Sequence, residues 1–288
     1  MNLFNNIRSS LCVLLCVSAS LCSIRIAAGD VGDGKVVGLD YYYNYQVRPD
    51  GTQFHYIWDD TKASGYSQFG DVWKKYGATI TAVKEAPTAD DLRGLSIYII
   101  CNPDNAVKAA FHQPHYIEEP AISAIVSWVE GGGVLAIFGN DEKVGGCEFV
   151  HLNHLTQHFG ITVNDDVRNL VPDSHNRLPG TFAADLFPDH PLFKDVKMIF
   201  MKEICTFQVA DPAKTLLIAP KQVGEGTDII MCTAQYGKGF VYAVGDPWFY
   251  NEYIDVGKKT PNLPIENRKA AENLVQWLLG IAQPPMKP

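Results

Sequence analysis

Carboxylates, amides and aromatic rings recur in this sequence where apolar runs stop. The run Val36 to Leu39 ends in Asp40 and is followed by Tyr41-Tyr42-Tyr43-Asn44, and Ser96 to Cys101 leads into Asn102-Pro103-Asp104-Asn105. Val134 to Phe138 leads into Gly139-Asn140-Asp141-Glu142, and Phe240 to Val244 into Gly245-Asp246-Pro247-Trp248-Phe249-Tyr250-Asn251-Glu252. This set suits a sugar, because carboxylates and amides grip vicinal hydroxyls while aromatic faces stack on the apolar face of the ring. Tyr42, Asn102, Asn140, Trp248, Tyr250 and Glu252 are the ligand contacts it predicts. Asp40, Asp141 and Asp246 are the candidate catalytic groups, since glycoside cleavage needs two carboxyls roughly 5 to 9.5 Å apart, one as acid and one as base or nucleophile. Each acid taken singly has a plainer reading, because Asp and Asn also close strands and cap helices through local hydrogen bonds.

Other chemistry is more weakly signalled. His151, His154 and His158 are three and four residues apart and could share one helical face, but Phe149, Leu152, Leu155 and Phe159 claim the neighbouring stripe, so that face reads as solvated rather than metal-binding. His112 and His115 form a loop pair. The sequence lacks a G-x-S-x-G elbow, and Gly131-Gly132-Gly133 precedes an apolar run instead of following one, which removes the phosphate cradle. No metal and no cofactor is called for.

These residues need a scaffold that brings strand ends to one edge. Lys35 to Asp40, Thr79 to Val83, Ser96 to Asn102 and Val134 to Gly139 are continuous apolar runs, which predicts strands buried on both faces. Between them, Phe69, Val72, Trp73 and Tyr76 recur at helical spacing, as do Ile122, Ile125, Val126 and Val129 before the glycine run. Alternating strands and helices mean an α/β fold, a doubly wound and mostly parallel sheet whose ligands bind beyond the carboxyl ends of its strands. A helix over His151 to Phe159 follows, then long irregular loops over Asn164 to Asp195. Short strands are expected around Met198 to Phe200, Thr206 to Val209, Thr215 to Ala219, Asp228 to Ala234 and Phe240 to Val244, and a last helix over Ile265 to Leu279. Nothing marks a linker, so residues 29–288 read as one domain.

Residues 1–28 read as a signal peptide: Arg8 precedes the 11-residue apolar run Leu11 to Leu21, and Ile26-Ala27-Ala28 offers small residues at a cut. The run is too short to span a bilayer of about 30 Å, which points to export, periplasmic or extracellular, without stable membrane insertion. Cleavage removes two arginines and no acids, leaving 22 basic and 32 acidic side chains. Such an acidic chain argues against a nucleic-acid partner. Cys101, Cys147, Cys205 and Cys232 remain; they allow one or two disulfides, yet Cys101 and Cys232 lie inside apolar runs where a buried thiol is the alternative.

The motifs VVGLDYYYN (36–44), FGND (138–141), LNHLTQHFGI (152–161), VGDPWFYNEYID (244–255) and ENRKAAENLVQWLL (266–279) resemble a class I glutamine amidotransferase-like domain, in the branch associated with bacterial unsaturated rhamnogalacturonyl hydrolases. The resemblance covers nearly the whole chain after residue 28. It implies a flavodoxin-like sheet and a setting in pectin or rhamnogalacturonan breakdown. It does not imply glutamine hydrolysis, since the catalytic Cys elbow and its His and Glu partners have no match here. The expected partner is a uronic-acid- or rhamnose-containing oligosaccharide, either bound or, in the alternative, cut by a hydrolase or lyase using the rim carboxylates.

Overall fold

The computed structural model describes residues 31–62, 64–109, 113–141, 143, 145–171, 178–220 and 227–285. The signal peptide read over residues 1–28 lies outside them. The strands are β1 (Val36–Asp40), β2 (Gln46–Val47), β3 (Gln53–Phe54), β4 (Thr79–Val83), β5 (Ile97–Cys101), β6 (Val134–Phe138), β7 (Ile161–Val163), β8 (Thr181–Ala183), β9 (Met198–Phe200), β10 (Phe207–Val209), β11 (Ala213–Ile218), β12 (Ile229–Tyr236) and β13 (Gly239–Val244). Five α-helices accompany them: α1 (Ser67–Lys75), α2 (Ala89–Arg93), α3 (Glu119–Gly131), α4 (Val150–Thr156) and α5 (Asn267–Ile281).

One sheet runs β4-β1-β5-β6-β13-β12-β10-β7, with β11 also paired to β12. Its first five strands are parallel and the rest antiparallel. Alternation along β5 explains the two-sided core: Ile97, Ile99 and Cys101 pack on one face with α1 and α5, while Tyr98 and Ile100 pack on the other with α2, α3 and α4. Every residue of β5 and β6 is buried, which is why these runs are continuously apolar. This is the doubly wound, mostly parallel, flavodoxin-like sheet, and short strands extend it in the second half as expected. The four cysteines are buried free thiols, so the disulfide alternative does not hold.

Local signals set the ends. Thr88 caps α2 by accepting from the Asp91 amide at 3.3 Å, and the Asp91 carboxylate returns a bond to the Thr88 amide at 2.9 Å. Pro120 opens α3, and Gly132, at φ 127°, closes it. The strand read over Ser96 to Asn102 stops at Cys101, because Asn102 turns into the left-handed region at φ 44°. A further correction concerns β4, which is not buried on both faces: as an edge strand it leaves Thr79 and Thr81 exposed and its other residues half-buried. Among the described residues no helix is long and apolar enough to cross a membrane.

Chain order places β1 between β4 on one side and β5 on the other, so the strand order reverses at β1 and β5. A crevice is expected beyond the carboxyl ends at that point.

Candidate functional site

Asp40 ends β1, is fully buried, and uses both carboxylate oxygens. One accepts from the Tyr42 amide at 3.3 Å and the Tyr98 hydroxyl at 3.1 Å, the other from the amides of Tyr43 and Asn44 at 3.0 Å each. It therefore folds the tyrosine run back over the strand end, and burial pushes its pKa up to about 7 against the pull of those donors. Asp246, two residues beyond β13, behaves alike: one oxygen caps the Trp248 amide at 2.8 Å, the other takes the Lys202 amide at 2.9 Å, and burial raises its pKa to about 7. Asp104 accepts from the Tyr45 amide and the Gln46 side chain, both at 2.7 Å, and Asp141 from the Gly145 amide at 2.9 Å.

These acids do not form the expected catalytic set. Asp40, Asp141 and Asp246 are each no more than 1% exposed. Asp40 and Asp246 also sit three strand spacings apart in the order β1-β5-β6-β13, roughly 14 Å at about 4.8 Å per strand, too far for an acid and base acting on one bond. The reason is local, since a strand that ends at a tight loop leaves several amides needing an acceptor, and a buried Asp supplies two oxygens.

Two of the predicted contacts, Asn102 and Asn140, do meet at the centre of the rim, against Gly145. Asn102 donates to the Gly145 carbonyl at 3.4 Å, while its Oδ1, fully buried, has no hydrogen-bond partner. Asn140 packs against Gly145 so closely that a Cβ there would lie 2.1 Å from its Cγ, and it donates to the Tyr56 hydroxyl at 3.4 Å. The segment carrying Tyr56 is unusual: His55 and Tyr56 are consecutive non-glycine residues at φ 61° and 44°. Sequence reasoning missed both, because positive φ at His and Tyr leaves no compositional mark. Cys101, just before Asn102, is no nucleophile; its thiol is fully buried, 3.3 Å from the Tyr66 hydroxyl, and burial raises its pKa well above the usual thiol range.

The β13 loop departs from its expected role. Tyr250 is a core residue, fully buried, stacked on Phe138 at 4.6 Å with its hydroxyl 3.0 Å from that of Tyr242, so it offers no face to a ligand. Trp248 is half-buried, with Lys202 Nζ 3.6 Å above its ring and Tyr253 stacked at 6.0 Å. The side chain of Glu252 lies outside the described residues.

Aromatic faces gather instead beside the crevice, where loops after β1, β4 and β5 meet. Tyr42 stacks on His115 at 3.9 Å and 8°, held by a 2.7 Å contact between His115 Nδ1 and the Tyr42 carbonyl. With Ala86, Tyr116 and Glu118 they line a groove of about 230 Å³. Tyr116, 36% exposed, stacks in turn on His151 at 4.4 Å and 14°. His154 and His158 are exposed on α4 and the turn after it, and Phe149, Leu152, Leu155 and Phe159 fill the buried stripe. Among the described residues no group of three His, Cys, Asp or Glu side chains could hold a metal ion. The histidine after Pro114 was the signal for this groove, legible as a loop pair but not as a ring stack.

No family model and no curated protein matches the sequence. Solved structures do resemble it. The mmIFT52 N-terminal domain superposes with a TM-score of 0.60 at 16% identity, covering 85% of this chain and 97% of its own. The cytoplasmic protein STM1381 from Salmonella typhimurium LT2 gives 0.54 at 13% identity, covering 86% of this chain and all of its own. A ThuA-like protein from Bacteroides uniformis is looser, at a TM-score of 0.45 and 12% identity over 86% of this chain and 92% of its own. At such identities the likeness of the first two establishes the fold alone, a flavodoxin-like α/β sheet.

Proposed function

We propose that this is an exported protein of pectin or rhamnogalacturonan breakdown that recognises an acidic or rhamnose-containing oligosaccharide at the carboxyl edge of its sheet. One observation carries the reading: the Asp40 carboxylate is buried and committed to amides of the tyrosine run, while an aromatic groove lined by Tyr42 of that run, His115 and Tyr116 opens beside it. At about 230 Å³ the groove lies below the roughly 300 to 1,000 Å³ of drug-sized pockets, so it takes one ring and leaves the remainder of a glycan outside. Stacked rings offer a flat apolar face, and Glu118 at the margin accepts hydroxyls. The leader over residues 1–28 and the resemblance of VGDPWFYNEYID to the rhamnogalacturonyl hydrolase branch support the setting.

A hydrolase or lyase is the second reading; since Asp40 and Asp246 are too far apart to act together, either would serve alone as a proton donor, its carboxyl raised to about 7. One experiment separates the two. Pectic oligosaccharides are titrated onto the protein by calorimetry, and the same mixtures are followed for new reducing ends and for absorbance from unsaturated sugars. Heat of binding without product supports recognition; product that accumulates with time overturns it in favour of cleavage.

A further inference from the structure

Buried and half-buried side chains at the centre of the rim close into a ring. Asn102 bonds Gly145, Gly145 abuts the Asn140 amide, Asn140 bonds Tyr56, and Tyr56 is the neighbour of His55. Lys108 completes it: Gly146, at φ 71°, lies so close that a Cβ there would fall 2.1 Å from Lys108 Cγ and 2.6 Å from Cε, and the Lys108 charge helps to lower the pKa of His55. That pKa falls to about 4, chiefly through burial, so His55 is neutral at physiological pH.

Two features of the ring lack a partner. Lys108 is half-buried, with its stem pinned, and among the described residues no carboxylate pairs with it, in a chain whose acids outnumber its bases 32 to 24. Asn102 Oδ1 is a fully buried acceptor with no donor. A buried amide oxygen left unpaired is costly, and a half-buried lysine whose stem is held against Gly146 keeps its charge available to an anion. The two requirements differ, one for an anion and one for a hydroxyl.

We propose that Lys108, Asn102, Asn140, His55 and Tyr56 form a subsite for a sugar acid, Lys108 taking the carboxylate and Asn102 Oδ1 accepting from a hydroxyl of the same unit. This rests on the glycan reading above and selects the acidic unit within it. Because Asn102 is fully buried, entry requires a neighbouring segment to move, and the one we assign is His55–Tyr56, which holds Asn140. Two consecutive left-handed residues give that segment stored strain of the kind found at ligand clamps.

Galacturonate and its methyl ester, alike in shape and different in charge, are titrated onto the wild-type protein and onto Lys108→Met, with inorganic phosphate as a bare anion. The wild type is expected to bind galacturonate about tenfold tighter than the ester, the scale of one charge-assisted hydrogen bond. Lys108→Met should erase that gap by weakening galacturonate more than the ester, and phosphate should not compete. Equal affinity of the wild type for acid and ester overturns the subsite, whatever the variant does, and leaves glycan recognition standing. So does a gap that survives in a folded Lys108→Met, or phosphate binding as tight as galacturonate. Failure of every sugar to bind overturns both readings.

Discussion

Asp246 presents the question of the rim in one side chain: it is the residue type that grips a hydroxyl, and both of its oxygens hold amides. Asn at this position keeps one acceptor oxygen and turns an NH2 toward the other amide, so Asp246→Asn should cost about 1 to 2 kcal/mol of stability in chemical denaturation. Its pH behaviour follows from the raised pKa. The unfolded value is 3.8 and the folded value about 7, so the contribution to stability is fully present below about 3.8 and is lost as pH rises through about 7. Unfolding free energy should therefore fall between pH 5 and pH 8, and fall less steeply in Asp246→Asn; a slope unchanged by the substitution would refute that titration. The sequence made these acids legible as strand ends and offered local capping as the plainer reading, without showing which amides each would hold. Which amides a loop leaves open depends on its φ and ψ angles, and those are not written in residue types. Tyr250 was misread for a related reason, since an aromatic two residues after Trp248 looks alike whether it faces solvent or Phe138.

At the scale of elements, the strand ends hold because backbones approach closely. Gly245 donates to the Ile230 carbonyl at 3.1 Å and accepts from the Cys205 amide at 3.0 Å, and a Cβ on it would lie 1.9 Å from the Cys205 carbonyl oxygen. Gly245→Ala should thus destabilise the protein by about 1 to 3 kcal/mol, read as a lowered denaturation midpoint with an unchanged slope. The central strands were legible because β5 and β6 are buried on both faces and so are continuously apolar. β4 was legible as a strand but not as an edge, although its alternation of Thr with Ile and Ala carried that information. The segment between β1 and α1, which supplies His55 and Tyr56, has no periodicity to read. Among its described residues, the regular pieces are the two-residue strands β2 and β3.

For the whole molecule, one sheet joins the parallel first half to the antiparallel second, and the four cysteines among the described residues stay buried and unpaired. A melting temperature taken with and without dithiothreitol should be the same; a drop of several degrees on reduction would reveal a disulfide that this fold does not contain. The architecture was legible from alternating strands and helices, whereas the aromatic groove was not, because it is assembled from loops after three different strands. That groove is where the account is most exposed. The direct measurement is a calorimetric titration of a pectic oligosaccharide onto the wild type and Tyr116→Ala. Tyr116 is 36% exposed, so its loss should leave the fold intact. The account predicts affinity weakened about tenfold, the worth of one aromatic stacking contact, with the melting temperature unchanged. Unchanged affinity in the folded variant would contradict it.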